Sequence, residues 1–154
     1  MEKIKKLRKI LKREKIHGYL IPKNDEFFGE YVSENNDRLK YISNFSGSFG
    51  FALILSNKSY LFVDGRYTLQ ASEQCGKKFD IVTIPDKKIR SVLKRNRYLI
   101  GFDPKLFTKD TLKLYFGSSC NLIPINFSLF KDEIETINKD NLVYSIDSSI
   151  TGES

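Results

Sequence analysis

The sequence is poor in the residues from which metal centres and nucleophilic sites are built. Its 154 residues include one histidine, two cysteines and no tryptophan. A hydrolytic metal site needs clustered His, Cys, Asp or Glu ligands, because the cation exchanges most of its water shell for fixed donors. His17 has no second histidine beside it, and no serine lies in a G-x-S-x-G pattern. We therefore expect His17 to be a half-buried or surface residue, and we assign no catalytic or metal-binding residue.

Long apolar runs and paired cysteines are also absent. No run approaches the ~20 apolar residues of a membrane span. The charged start is not followed by the apolar segment of a secretory signal. Cys75 and Cys120 form no C-x-x-C pair, which is typical of reduced thiols. These features predict a cytoplasmic protein that does not bind membranes.

The positive charge lies mostly at the start of the chain. The net charge is +7, and residues 1–15 hold eight basic and two acidic residues, a balance of +6, against 18 basic and 17 acidic residues in the remainder. Ile4, Leu7, Ile10 and Leu11 recur there at helical spacing. The segment predicts a surface helix packed on a sheet, with an acidic partner or a membrane surface as the alternative. Because the body is nearly neutral, nucleic-acid binding is not expected.

Strand and helix patterns alternate along most of the chain. Helical patterns cover 1–15, 37–41, 66–75, 86–95, 108–116 and 128–137, and strand patterns cover 19–21, 51–55, 60–63, 80–84, 98–102 and 121–125. The second and third strands are joined by a short polar link, which predicts an antiparallel hairpin. Pro124 predicts that the last strand is an edge strand or carries a bulge. The whole pattern predicts a single α/β domain with a mixed, mostly six-stranded sheet flanked by helices.

Two short segments combine glycine with polar residues. The run Ser46-Gly47-Ser48-Phe49-Gly50 lacks a Walker lysine and leads into a strand, so we expect a tight structural turn instead of a nucleotide cradle. Asp64-Gly65-Arg66-Tyr67 lies where a strand ends and a helix begins, a place where polar groups converge in α/β proteins. Asp64 is expected to cap the helix or to pair with Arg66, and contact with a ligand is the open alternative.

These segments, taken together and in order, resemble a known family. They resemble the N-terminal domain of Xaa-Pro aminopeptidases, in the creatinase/aminopeptidase P family. The resemblance rests on Tyr19-Leu20-Ile21-Pro22 with the following Asn24-Asp25-Glu26 and Glu30-Tyr31, on Arg38 with the turn at 43–50, and on the segment 62–71. The resemblance implies a creatinase/prolidase N-terminal domain with a ribonuclease H-like fold over residues 1–143. Residues 144–154 would then be a linker toward a C-terminal catalytic domain that this chain lacks.

The resemblance also implies what such a domain does. Full-length members use two divalent metals, usually manganese, to release an N-terminal residue that precedes proline. This chain alone is expected to be inactive and to hold no cofactor, and to contribute to oligomerisation and to the walls of the active site. Its expected partners are the catalytic domain, a second copy in a homodimer and a peptide with proline at the second position. The alternative is a stand-alone, catalytically inactive module of the same fold that binds a peptide or protein.

Eight residues carry these expectations at specific positions. By the resemblance, Asp25, Arg38, Arg66 and Tyr67 are candidates for contact with the substrate or the catalytic domain. The residues expected to shape the turns are Gly47, Gly50, Asp64 and Gly65.

Overall fold

The protein is built on a six-stranded sheet with helices on both faces. The structure is a computed structural model, and it describes residues 2–29, 31–84, 92–93, 97–117 and 120–125. The strands are β1 (Gly18–Pro22), β2 (Phe51–Leu55), β3 (Ser59–Asp64), β4 (Asp80–Ile84), β5 (Leu99–Phe102) and β6 (Asn121–Pro124), in the spatial order β4-β3-β2-β1-β5-β6. The predicted mixed six-stranded α/β sheet is confirmed.

Within the described residues, four α-helices and three 3-10 turns accompany the strands. The helices are α1 (Glu2–Arg13), α2 (Arg38–Ser43), α3 (Thr68–Cys75) and α4 (Lys109–Tyr115), and the 3-10 turns are Gly65–Tyr67, Gly76–Lys78 and Pro104–Leu106. Asp37 and Thr108 cap α2 and α4 with their side chains. The helices predicted at 86–95 and 128–137 lie largely or wholly outside the described residues, as does the predicted linker at 144–154.

One strand runs against all the others. β2 pairs antiparallel with β1 and with β3, as the hairpin prediction requires, whereas β1–β5, β5–β6 and β3–β4 are parallel. The carboxyl ends of the other five strands therefore meet at one edge of the sheet, together with the start of β2. We call this the carboxyl edge. It is where ligands bind in open α/β sheets.

The basic segment at the start of the chain packs on the sheet. Ile4, Leu7 and Leu11 of α1 are buried. The side chain of Arg8 reaches the hairpin, where Nε donates to the Leu55 carbonyl at 2.9 Å and Nη2 donates to Ser59 Oγ at 3.1 Å. The surface-helix prediction is confirmed, and part of the basic charge fastens α1 to the hairpin.

The opposite face of the sheet carries a second, more aromatic core. Phe51 stacks on Phe62 with ring centroids 4.8 Å apart, and Phe51 also contacts Tyr115 and Phe116 at the end of α4. Because the central strands are buried on both faces, their sequences are continuously apolar instead of alternating. β6 is the edge strand that Pro124 predicted.

Candidate functional site

The turn at 46–50 enters the sheet at the carboxyl edge through two crowded glycines. A Cβ on Gly47 would lie 2.2 Å from Phe45 Cζ and would clash with the tip of this buried ring. Gly50 has a φ of +153°, and a Cβ there would lie 2.7 Å from the Phe62 carbonyl oxygen. Both positions therefore exclude a side chain for steric reasons. Gly65 differs, because a Cβ there would meet no atom within 4 Å.

One face of α3 and the turn before it hold this glycine turn in place. Gln74 Oε1 accepts a hydrogen bond from Ser46 N at 2.9 Å, and the amides of Gln70 and Gln74 donate to Ser46 Oγ at 3.0 and 2.8 Å. Tyr67 forms a 2.7 Å hydrogen bond with Ser48 through their hydroxyls. Sequence reasoning missed Ser46 and Gln74. The signal was the i, i+3, i+7 spacing of Tyr67, Gln70 and Gln74, which places all three on one helical face.

Asp64 and Arg66 combine both of the structural roles expected for them. Asp64 Oδ1 accepts from Arg66 N at 2.9 Å, which caps the 3-10 turn, and Asp64 Oδ2 pairs with Arg66 Nη2 at 2.7 Å. The Arg66 side chain is still 76% exposed, and its guanidinium carbon lies 5.4 Å from the centroid of the Tyr67 ring. The ion pair therefore orients a charged group that faces solvent at the carboxyl edge.

We expect Arg66→Gln to raise the pKa of Asp64. The pKa of Asp64 lies below its ordinary value, mainly because Arg66 donates a side-chain hydrogen bond to the carboxylate. Burial opposes this lowering, whereas the backbone hydrogen bond and the charge of Arg66 add to it. Carboxyl-carbon NMR titration of the wild-type chain and of the Arg66→Gln variant measures the change in the pKa of Asp64. A lowered pKa means that Asp64 contributes stability at pH values above its unfolded-state pKa and loses it as the pH falls through the folded-state pKa. An unchanged titration of Asp64 in the variant would contradict the geometry.

Asp25 shapes its own loop. Its side chain is buried, and Oδ1 accepts from Phe27 N at 3.0 Å. The neighbouring Asn24 Nδ2 donates to the Leu106 carbonyl at 2.8 Å and ties the loop to the segment that follows β5. This arrangement leaves Phe27 79% exposed and Phe28 48% exposed. Glu30 lies outside the described residues.

Arg38 belongs to a group of charges beside that loop, while Arg66 and Tyr67 belong to the group around the glycine turn. Arg38 Nη2 lies 3.8 Å from Glu26 Oε2, and Lys23 forms an ion pair with the buried Asp37. Burial raises the pKa of Tyr19, and the charge of Asp103 adds to this shift while Arg38 opposes it. Because Lys23 N donates to the Gly50 carbonyl at 3.0 Å, the backbone connects the two groups.

Next to these groups lies a cleft of about 190 Å³, which we call the aromatic cleft. Its polar lining comes from Lys23, Asn24, Ser48 and Thr111. Its apolar lining comes mainly from Phe28, Val32, Phe49, Phe51, Phe107 and Tyr115. Such a cleft suits an apolar side chain whose backbone is held by polar groups at the rim.

Ligands for a metal ion are not grouped in the described part of the chain. None of its clusters of His, Cys, Asp or Glu has the three members that a metal site needs. His17 is exposed, and its Nδ1 accepts from Leu99 N at 2.9 Å. None of the helices in the described ranges combines the length and the apolar character needed to cross a membrane.

Comparison with known proteins gives a consistent result. The model of the Creatinase/Prolidase N-terminal domain matches residues 3–129. Xaa-Pro aminopeptidase 1 of Dictyostelium discoideum is 30% identical over 174 aligned positions, which cover 99% of this chain and 27% of that protein. A probable Xaa-Pro aminopeptidase P of Laccaria bicolor is 38% identical over 87 residues, which cover 55% of this chain and 14% of that protein. The chain thus spans about a quarter or less of these curated relatives.

Solved structures extend the similarity to the fold. The X-prolyl aminopeptidase of Caenorhabditis elegans superimposes on this chain with a TM-score of 0.75 and 28% sequence identity. The match covers 99% of this chain and 28% of that one, which is described as a cytosolic enzyme with a di-nuclear active site. The N-terminal domain of a cytoplasmic peptidase from Mycobacterium tuberculosis superimposes with a TM-score of 0.63 and 22% identity, covering 85% of this chain and 97% of that domain.

Proposed function

Because the chain belongs to the Creatinase/Prolidase N-terminal domain family, we propose that it serves as the non-catalytic N-terminal domain of an Xaa-Pro aminopeptidase. The observation that carries this proposal is the alignment with the Dictyostelium enzyme, which covers 99% of this chain but 27% of the relative. On this proposal, the chemistry belongs to the remaining length of such an enzyme. The substrate is a peptide with proline at its second position.

We propose that the carboxyl edge forms part of the wall of the active site. Arg66 supplies an exposed cation held at a defined position by Asp64. The aromatic cleft supplies apolar surface at the same edge of the sheet. In this arrangement, Tyr67 and Asp25 act by holding the two loops, since both are engaged by hydrogen bonds within the domain. Arg38 supports the loop after β1 through Glu26.

The metal centre is proposed to lie in a catalytic domain that accompanies this one. The di-nuclear active site of the C. elegans enzyme supports two divalent ions, for which we propose manganese. Such ions lower the pKa of a bound water and so generate the nucleophile for peptide hydrolysis. We further propose that the full-length protein is a cytoplasmic homodimer. The cytosolic location of the C. elegans relative supports the cytoplasmic part of this proposal.

The purified chain is expected to release no amino acid from an Xaa-Pro peptide in the presence of manganese. The physical reason is that metal-dependent hydrolysis needs clustered ligands, and the described residues bring no three such side chains together. Product release is measured by chromatography, with the C. elegans enzyme as the positive control. Metal-dependent turnover that co-purifies with the chain would overturn the non-catalytic role.

A stand-alone module that binds a peptide or protein is the second candidate. Phe27 and Tyr31 are 79% and 87% exposed on the loop that borders the aromatic cleft, and exposed aromatic clusters mark interaction surfaces. The coding sequence after Ser154 separates the two candidates. Downstream Asp, Asp, His, Glu and Glu in the family's order support the aminopeptidase domain, whereas a stop codon supports the module.

A further inference from the structure

A second concave site lies away from the glycine turn and the aromatic cleft. It is a cleft of about 290 Å³ between the first turns of α1, the end of α2 and the 3-10 turn after α3, and we call it the lysine cleft. Lys3, Lys6 and Lys78 line it together with a single acidic residue, Glu2. Two segments that are distant in sequence, α1 and the 3-10 turn after α3, therefore bring positive charges to one concave surface.

Lys3 is held in the lysine cleft by contacts that leave its charge unneutralised. Lys3 Nζ lies 3.6 Å from the centroid of the Tyr41 ring and donates to the Tyr41 carbonyl at 3.2 Å. Within the part of the chain that the structure describes, neither Lys3 nor Lys78 forms an ion pair. A concave surface lined by charges of one sign concentrates counter-ions.

We propose that the lysine cleft binds a small phosphate-bearing anion. A lysine ammonium is a compact point charge with three donors, which suits phosphate oxygens. The cleft, at about 290 Å³, has room for a phosphate or diphosphate group. This site is independent of the proposed aminopeptidase role.

An extended polyanion is a poorer fit than a small one. Arg8 is turned inward to the hairpin, and Lys3 is turned toward α2, so α1 does not present its full basic face outward. The charges that remain on the outer face include Lys9 and Lys12, which are exposed and lie outside the cleft. These two lysines provide a control with the same change in net charge on the same helix.

Titration calorimetry of the 154-residue chain with inorganic pyrophosphate tests the proposal. We expect saturable binding of one pyrophosphate per chain, and we expect the double variant Lys3→Gln with Lys78→Gln to raise the Kd about tenfold, equivalent to about 1.4 kcal/mol. The matched double variant Lys9→Gln with Lys12→Gln should leave the Kd within about twofold, because neither lysine lines the cleft and salt screens an exposed charge. Lys78→Gln alone should also weaken binding, and it disturbs no described hydrogen bond.

Three results would overturn the proposal. The first is the absence of saturable pyrophosphate binding by the wild-type chain at constant ionic strength. The second is equal weakening by the two double variants, which would indicate a diffuse charge effect. The third is tighter binding of a single-stranded oligonucleotide that depends on Lys9 and Lys12, which would indicate that α1 recognises nucleic acid.

Discussion

Phe62→Ala is expected to lower the free energy of unfolding by about 4 kcal/mol, the scale of large-to-small changes of a buried aromatic residue. Phe62 has no exposed surface and stacks on Phe51 with an interplanar angle of 17°. Its strand pairs with β2 on one side and β4 on the other, so the surrounding backbone cannot collapse into the space left by the ring. Because domains have a net stability of roughly 5–15 kcal/mol, this single change removes a large part of it.

Urea denaturation followed by circular dichroism measures this effect. The matched control is Phe27→Ala, which deletes the same ring from a position that is 79% exposed. Surface substitutions of this kind change stability by about 0.5 kcal/mol or less. Equal destabilisation by the two variants would show that the second core does not carry the stability assigned to it.

Gly50→Ala is expected to lower the free energy of unfolding by about 3 kcal/mol, through backbone strain and overpacking together. At a φ of +153°, a side chain is disfavoured, and its Cβ would lie 2.7 Å from the Phe62 carbonyl oxygen. That oxygen belongs to the backbone of a central strand, so it cannot rotate away as a side chain could. The same change moves the glycine turn, and Gly50 and Phe49 both line the aromatic cleft.

Gly65→Ala is the matched control for the glycine turn. A Cβ at Gly65 meets no atom within 4 Å, and the loss of glycine reduces the entropy of the unfolded chain, so we expect a change of about 0.5 kcal/mol in either direction. Thermal unfolding gives the stabilities, and amide NMR spectra report whether Ser46 and Ser48 shift. Wild-type stability of Gly50→Ala would contradict the close approach of the turn to β3.

Local signals in the sequence were sufficient for most of the secondary structure. The spacing of Ile4, Leu7 and Leu11 predicted α1, and their burial confirms the face that packs on the sheet. The helical pattern predicted over 66–75 ends before Gly76, whose φ of +56° is a conformation that glycine adopts readily. The polar link between two apolar runs predicted the hairpin. These signals depend on residues close in sequence, so tertiary contacts are not needed to interpret them.

The candidate site was predictable only where its partners are neighbours. Asp64 and Arg66 are two positions apart, and both the cap and the ion pair were anticipated. The bonds that hold the site together join residues far apart: Ser46 to Gln74 across 28 positions, and Asn24 to Leu106 across 82. Tyr67 and Asp25 were named as candidates for ligand or interdomain contact, whereas in this structure their described hydrogen bonds are within the domain.

By itself, the sequence determined the class of the fold, the family resemblance and the packing of the basic helix, because apolar periodicity, glycine and proline act over a few residues. Only the tertiary structure decided that Arg66 stays exposed beside a turn held by two glutamines, and that three lysines from distant segments meet in one cleft. The physical reason is that the order and direction of the strands bring these residues together, and neither is encoded in any short stretch of the chain.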